Sequence, residues 1–357
     1  MANRLKTLLS QAVDSLTVPV LSVVAGLLMG TLFILIAGKD PVKAYQAFAT
    51  AVAGEPRMIG ETLVSSIPLV FTGLAVALAF RCGLFNIGVE GQYLVAQLAT
   101  AWAGVSLRLP GWLHPAVALL VGMLAAAAWA SIAGLLKAYR GVHEVINTIM
   151  LNYIGLWLGN WLLLTYLRAP SNTGSATFPV KETALLTQGL IAESRLHPGL
   201  WIALGAAALV WFFLWRTPAG YEIRAVGLSP GAAEYGGINV KANIVLAMAL
   251  SGALGGLAGG VQVLGVTHRF FEPMGFVGYG FDGIAVALVG RNHPLGVVLA
   301  AVLFGALERG GPLMQAAADV PKAVVWIVQG TVIFFVAAEG LWRFLKQRQA
   351  RSEVKAP

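Results

Sequence analysis

The sequence predicts an all-α polytopic membrane protein with about ten transmembrane or half-membrane helices. Hydrophobic residues make up 58% of the 357 residues and charged residues only 11%, which is far from the composition of soluble domains. Apolar runs near the roughly 20 residues that a helix needs to cross a bilayer recur along the whole chain. The single cysteine, Cys82, excludes an internal disulfide. We therefore interpret residues 1–357 as one membrane domain.

Ten apolar runs are the predicted spans. In chain order they are Leu16–Ala37, Thr62–Phe80, Ile87–Val105, Pro115–Leu136, Ile146–Leu167, Leu200–Trp215, Ile244–Val266, Gly280–Gly290, Leu295–Leu307 and Ala323–Leu341. The first run lacks the cleavage pattern of a signal peptide, so we interpret it as a retained span. An even number of spans places both termini on one side, and the basic tail at residues 342–357 indicates the cytoplasm. The excess of Lys and Arg on that side is modest and depends largely on this tail.

Two of the runs are too short to cross a membrane alone. Gly280–Gly290 and Leu295–Leu307 are separated only by Arg291–Pro294. Short apolar segments broken by Gly or Pro are typical of transport proteins, where irregular backbone lines a cavity. We expect half-helices here. The alternative is a tight cytoplasmic hairpin between two full helices.

Two polar interruptions have the size of functional loops. Arg216–Lys241 contains two Gly/Pro breaks, and between them Tyr221–Leu228 and Ala232–Ile238 each predict one or two helical turns. The charge pattern places this segment inside the cell. Arg168–Pro198 is long and polar and falls outside, where an external partner could dock or where a plain surface loop could lie.

The inner loop carries the first family resemblance. E-I-R-A-V-G at Glu222–Gly227, followed by A-A-x-Y-G-G-I at Ala232–Ile238, resembles the coupling loop of permease subunits of ATP-binding-cassette importers, in the branch serving sugars, nucleosides and branched-chain amino acids. In that family the loop sits in a groove of a separate ATPase subunit. The resemblance implies an ATPase-coupling role for Glu222, Arg224, Gly227, Ala232, Ala233, Gly236, Gly237 and Ile238. A solvated cytoplasmic loop with helical turns is the alternative.

A second resemblance lies at Gly83–Gln92, GLFNIGVEGQ, which is similar to the start of the third span in nucleoside-type importer permeases. It implies that Asn86, Glu90 and Gln92 belong to the substrate pathway. Asn86 also suits a helix N-cap, with Glu90 at the positive helix end. Polar groups at membrane depth are costly unless they face a partner or a cavity, which favours function for Glu90 and Gln92.

Four further residues are predicted from spacing. Asn152, on the fifth span, is a pathway candidate, although a hydrogen bond between helices is the ordinary explanation for a buried amide. Gly252, Gly256 and Gly260 recur every four residues in the seventh span. Such spacing leaves one helix face without side chains, so we expect a neighbouring helix to approach it closely.

Several other functions find no support in the sequence. The net charge of +8 is dispersed among loops, so no nucleic-acid surface is expected. The G-x-S-x-G match at residues 227–231 and the G-x-G-x-x-G match at 278–283 lack the strands that such motifs require. The chain has no phosphate-binding G-x-x-x-x-G-K-[ST] motif and no H-x-x-x-H pair, so neither ATP nor a metal is expected to bind here.

The resemblance implies a transport subunit rather than an enzyme. The implied protein is a multi-pass permease of a bacterial plasma (inner) membrane that imports nucleosides. Its implied partners are an ATPase subunit that binds ATP and Mg²⁺, a second identical or homologous permease, and an extracytoplasmic substrate-binding protein, all in contact with membrane lipid. Ribose-type sugars and branched-chain amino acids are alternative cargoes. An ion-coupled secondary transporter would need carboxylates at mid-membrane, for which Glu90 is the one candidate.

Overall fold

The computed structural model describes residues 21–337 except 171–174, 188, 192 and 322, and the side chains of residues 336 and 337 are also outside it. Most residues within this range are helical. The helices are α1 Leu21–Ile36, α2 Pro41–Ala53, α3 Pro56–Arg81, α4 Val89–Ser106, α5 His114–Arg140, α6 Glu144–Leu162, α7 Gly199–Arg216, α8 Pro218–Leu228, α9 Pro230–Tyr235, α10 Val240–Gln262, α11 Tyr279–Val289, α12 Pro294–Ala318 and α13 Ala323–Ala337. Single π-helical turns, Leu163–Leu167 and Val263–Thr267, extend α6 and α10.

The polytopic membrane fold is confirmed. Among the described residues, α3, α5, α7, α12 and α10 with its π turn are long and apolar enough to cross a membrane, and α1, α11 and α13 are shorter apolar helices. Each predicted run coincides with a helix. The start of the first run, the end of the last run and the basic tail at 342–357 lie outside the described residues. The orientation of the chain and the single domain over residues 1–357 stay predictions.

Sequence reasoning missed one helix, α2, which lies between the first two predicted spans. Asp40 precedes Pro41, and its carboxylate accepts the backbone N–H of Val42 at 2.8 Å. An acidic side chain before Pro is a common helix start, since it supplies an acceptor for the unpaired N–H groups of the first turn. Lys43 and Gln46 interrupt the apolar pattern, which hid the helix.

The described chain forms two compact units. Residues 53–306 make one unit, in which α10 packs against α5, α4 and α3, while α11 lies along α3. The second unit consists of the chain up to Val52 and from Leu307 onward. In that unit α1 meets α13 closely, because a Cβ on Gly26 would lie 2.7 Å from the side chain of Val332.

The half-helix prediction is confirmed for one of the two short apolar runs and wrong for the other. The helix α11 has 11 residues and is therefore about 16 Å long, roughly half of a bilayer core. It is the expected half-helix. The expectation for Leu295–Leu307 is wrong, since α12 continues to Ala318 over 25 residues with Pro312 inside it. Proline is tolerated within membrane helices, so Pro312 and the polar residues before it do not end α12.

The glycines of α10 lie against α5. A Cβ added to Gly252 would stand 2.4 Å from the Cβ of Ala130, and one on Gly256 would stand 2.9 Å from the Cβ of Ala126. A Cβ on Gly260 would meet the side chain of Leu119 at 2.9 Å. These distances are too short for any side chain, so α10 and α5 touch through backbone and methyl groups.

Replacing Gly252 by Ala is expected to destabilise the fold, because the added methyl overlaps Ala130 and the carbonyl oxygen of Ala126. Overpacking of this kind typically costs about 1–3 kcal/mol. The matched control is Gly205→Ala on α7, where no atom lies within 4 Å of the added Cβ. Thermal unfolding of the purified protein in detergent should show a lower midpoint for Gly252→Ala alone. Equal midpoints for the two variants would contradict the close contact.

Candidate functional site

The segment Arg216–Lys241 folds into two short helices, as the sequence predicted. Thr217 begins α8 by accepting the N–H of Gly220 at 3.1 Å, and Ser229 begins α9 by accepting the N–H of Ala232 at 3.3 Å. Proline follows each of these residues, which suits the first turn of a helix. Asn239 then begins α10 by accepting the N–H of Ala242 at 3.0 Å. Three successive polar caps thus explain why the loop is compact.

One face of the two short helices is buried and the other is exposed. Ile223, Val226 and Ala233 are buried and attach α8 and α9 to their own unit. Tyr235 is 97% exposed and Leu228 is 89% exposed. Exposed aromatic and aliphatic side chains on a small, rigid projection are typical of a protein interface. Neither residue was among the predicted coupling residues.

The predicted glycines of this segment serve different purposes. A Cβ on Gly227 would lie 2.2 Å from the carbonyl oxygen of Arg81, so α8 touches the end of α3 backbone to backbone. Gly236 and Gly237 are exposed, and Gly237 has a φ of 84°, which suits glycine at a helix end. Ala232 is exposed and Ile238 is half-buried.

Glu222 and Arg224, two of the predicted coupling residues, do not pair with each other. Residues two apart on a helix point in different directions. The Glu222 carboxylate accepts a hydrogen bond from the side-chain amide of Asn243 at 2.9 Å, which ties α8 to α10. The Arg224 guanidinium lies over the ring of Trp215, 5.8 Å from its centroid.

Trp215 is the centre of a cationic and aromatic cluster that the sequence did not predict. Arg81 lies over the same ring at 5.1 Å, and the His293 ring centroid is 5.2 Å away. Burial, reinforced by Arg81, lowers the pKa of His293, so this ring stays neutral at neutral pH. The Arg81 Nε also donates to the carbonyl of Asn292 at 3.0 Å. The cluster therefore joins α8 to the end of α11.

Asn86 and Gln92 form a closed polar network in the interior. Their side-chain amides exchange two hydrogen bonds of 3.2 Å, and Asn86 also donates to the Ser251 hydroxyl at 2.8 Å. Ser251 in turn donates to the carbonyl of Ala75 at 2.7 Å. Asn86 further accepts the N–H of Gly88 at 2.9 Å, so it orders the turn before α4 rather than the helix itself. These bonds join α3, α4 and α10.

Asn152 fixes the start of α4 to α6. Its carbonyl oxygen accepts the N–H of Gly91 at 2.8 Å, and its amide donates to the carbonyl of Ile87 at 2.9 Å. Gly91 allows this approach, since a Cβ there would lie 2.8 Å from Asn152. Both polar atoms of the side chain are therefore engaged within the protein.

Glu90 is fully buried and holds the first residues of α11. Its two carboxylate oxygens accept the N–H groups of Gly278 at 2.8 Å and Gly280 at 2.6 Å. A Cβ on Gly280 would stand 2.3 Å from the Glu90 nitrogen, so only glycine permits this contact. A helix N-terminus carries partial positive charge and unpaired N–H groups, and a carboxylate satisfies both. The structure thus brings the four predicted pathway residues together around the starts of α4 and α11.

Comparison with known proteins decides the family. Residues 58–337 match the family described as the branched-chain amino acid transport system / permease component. The chain belongs to this permease family. The guanosine ABC transporter permease protein of Bacillus subtilis is 41% identical over 92% of this chain and 95% of its own length. The nucleoside ABC transporter permease protein NupB of Lactococcus lactis subsp. cremoris is 36% identical over 90% of both chains.

The permease also resembles a protein named for a sugar. A glucose ABC transporter permease protein of Haloferax volcanii is 34% identical over 89% of this chain and 86% of its own length. No solved structure matches the chain. The family is one of transport permeases, so the chain is a membrane transport subunit and not an enzyme.

Replacing Glu90 by Ala is expected to destabilise the permease, because it leaves the N–H groups of Gly278 and Gly280 at the start of α11 without an acceptor. Each such group costs about 1–3 kcal/mol. Glu90→Gln keeps one acceptor oxygen, so its unfolding midpoint should lie between those of the unaltered protein and Glu90→Ala. Glu234→Ala, which removes an exposed carboxylate on α9, is the control. Thermal unfolding in detergent measures the order, and an unchanged midpoint for Glu90→Ala would refute the role of Glu90 in holding α11.

Proposed function

We propose that this chain is the permease subunit of an ATP-driven nucleoside importer in a bacterial plasma membrane. The two most extensive similarities reported above are to proteins named for guanosine and nucleoside transport, each over about nine tenths of the chain. A permease of this kind needs a cytoplasmic surface for an ATPase and a pathway for an uncharged, polar cargo. The described residues supply candidates for both.

The cytoplasmic surface is the exposed face of α8 and α9. Its rigid caps, its buried attachment face and the exposed Tyr235 and Leu228 suit docking into a groove of an ATPase subunit. That subunit would carry ATP and Mg²⁺. A substrate-binding protein would meet the opposite end, where Arg168–Pro198 lies, since α7 separates the two loops by about 27 Å. A second permease, identical or related, would complete the membrane part.

The position of Glu90 is the observation that supports an uncharged cargo. The N-terminus of a half-helix inside a membrane attracts anionic substrate groups. At α11 that place is already filled by the Glu90 carboxylate. The neighbouring predicted pathway residues are amides, and no Lys or Arg lies among them. A nucleoside, which has hydroxyls and a base edge but no net charge, suits such surroundings better than an anion does.

Closure of the ATPase would act on the pathway through α10, which contacts α8 at one end and α5 and α4 further along. Glu222 links α8 to Asn243 on α10, and the glycine-rich face of α10 lies on α5. Further along α10, a Cβ on Gly259 would lie 2.3 Å from the carbonyl oxygen of Tyr93 on α4. A displacement of α8 would therefore be transmitted through α10 to α4 and Glu90, because these helices are in close contact and no flexible side chain separates α10 from α4.

Sugar transport is the second candidate, because the glucose-named relative covers most of the chain and a sugar is also uncharged. A branched-chain amino acid is disfavoured, since its carboxylate would compete with Glu90 for the start of α11. An ion-coupled carrier is disfavoured for a related reason. The carboxylate that would bind the ion is already bound by backbone N–H groups.

Uptake by cells with and without this chain distinguishes the candidates. We expect radiolabelled guanosine and uridine uptake to disappear on deletion and to return with the intact gene. ATP depletion should abolish it, whereas collapse of the ion gradient at constant ATP should leave it intact. If deletion abolishes glucose or ribose uptake and leaves nucleoside uptake unchanged, the cargo is a sugar and not a nucleoside. Dependence on the ion gradient alone would refute the ATP-driven mechanism.

Replacing Tyr235 by Ala is expected to weaken ATPase binding at least roughly tenfold while the permease stays folded, because a side chain that is 97% exposed contributes little to folding. Tyr166→Ala is the matched control, an exposed tyrosine at the opposite end of the unit. Co-purification of the ATPase with each variant, together with substrate-stimulated ATP hydrolysis, provides the measurement. Normal coupling in Tyr235→Ala would place the ATPase elsewhere.

A further inference from the structure

Three aromatic rings cluster beside the start of α11. The Tyr153 and Phe276 rings are 5.1 Å apart at 70°, and the Phe276 and Phe281 rings are 5.7 Å apart at 83°. Tyr153 follows Asn152, which bonds to Gly91, while Phe276 and Phe281 flank the glycines that bond to Glu90. The rings, called here the α11 aromatic cluster, therefore adjoin the polar residues predicted to line the pathway.

The cluster lies near the middle of the membrane. Lys241, just after α8 and α9, sits over the Tyr139 ring near the end of α5. In the predicted orientation the start of α6 therefore lies at the cytoplasmic side. Tyr153 is nine residues beyond Glu144, the first residue of α6, and thus about 14 Å along the helix. That is close to half of a core of about 30 Å.

The surface around the cluster is unsuited to lipid. Residues 272–278 are not helical, yet Val277 is 59% exposed and Met274 is fully exposed. Irregular backbone at membrane depth is tolerated where protein buries it or where it lines a water-filled cavity. Tyr153 is 50% exposed, and no described residue hydrogen-bonds to its hydroxyl. A hydroxyl at this depth needs a polar neighbour, which hydrocarbon does not provide.

We propose that Tyr153, Phe276 and Phe281 form a nucleobase-stacking site in the translocation pathway, at the level where α11 begins. The inference rests on the proposed nucleoside import. A planar base can stack on exposed aromatic rings whatever its hydrogen-bonding edge, so one site accepts purines and pyrimidines. The Tyr153 hydroxyl is then free to bond to the base or the ribose. Because the Glu90 carboxylate already accepts the N–H groups of Gly278 and Gly280, the start of α11 does not require an anionic group from the cargo.

The test compares transport of two nucleosides by the assembled importer in liposomes, with saturating substrate-binding protein loaded with guanosine or uridine. Tyr153→Leu should lower guanosine transport per importer roughly tenfold, the size of one base-aromatic stacking contact. It should lower uridine transport less, because a single ring stacks over a smaller area. Tyr153→Phe keeps the ring and should stay within about threefold of the original rate, and Phe281→Leu should resemble Tyr153→Leu.

Trp157→Leu is the matched control. Trp157 lies one turn along the same helix and is 67% exposed, but its ring does not pair with any of the three rings of the cluster. It should leave transport unchanged. Photolabelling with an azido-substituted guanosine, followed by mass spectrometry, should mark the peptides that contain Tyr153 or Phe276, and excess unlabelled guanosine should prevent the labelling.

Other results would overturn the proposal in recognisable ways. If Tyr153→Leu and Trp157→Leu both reduce assembly of the importer, the exposed face of α6 is a contact with a second permease. If Tyr153→Leu lowers guanosine and uridine transport equally, and Tyr153→Phe lowers them as much, the cluster has a structural role and does not bind the base. If the unaltered importer transports no nucleoside but does transport a sugar, the proposed function itself fails, which is a separate result.

Discussion

The start of α11 inside the membrane is the constraint on which the rest of the structure depends. A helix that begins in hydrocarbon has N–H groups that neither water nor a preceding turn can satisfy, and each would cost free energy. Glu90 supplies the acceptors, but a buried carboxylate is itself acceptable only with such bonds. The Asn86 and Asn152 bonds then fix the start of α4, which carries Glu90. The polar residues of the interior thus form one support for a single helix end.

The two ends of α11 connect different parts of the unit. Its N-terminus is held by Glu90 on α4. The turn that follows its C-terminus accepts hydrogen bonds from Arg81, which lies over the Trp215 ring together with Arg224 of α8. A straight helix of about 16 Å transmits displacement better than it bends. The short length of α11 therefore leaves irregular backbone before its N-terminus and brings its other end close to α8 through the Trp215 cluster.

Sequence reasoning predicted those features that depend on local patterns. Apolar runs located the spans, and the two Gly/Pro breaks within Arg216–Lys241 predicted the short helices α8 and α9, because such breaks act on the adjacent residues. Contacts between segments that are distant in the sequence could not be predicted. Glu90 was recognised as unusual from its burial cost, yet its partner lies 190 residues later in the chain. The Trp215 cluster and the α11 aromatic cluster were missed for the same reason, since each joins ordinary residues from separate helices. The full length of α12 was missed because the charged residues Glu308 and Arg309 end the apolar run ahead of Pro312.

The support around α11 also bears on the range of cargo among the relatives. The chain resembles permeases named for guanosine, nucleosides and glucose, which share hydroxyls and the absence of net charge. A half-helix end neutralised by the protein's own carboxylate would favour neutral polar molecules as a class without choosing among them. Selection within that class must then come from side chains that remain exposed to the pathway. Tyr153, Phe276 and Phe281 fit this requirement, because aromatic rings distinguish a nucleobase from a sugar. The side-chain amides of Asn86, Gln92 and Asn152 are instead buried and hydrogen-bonded within the protein.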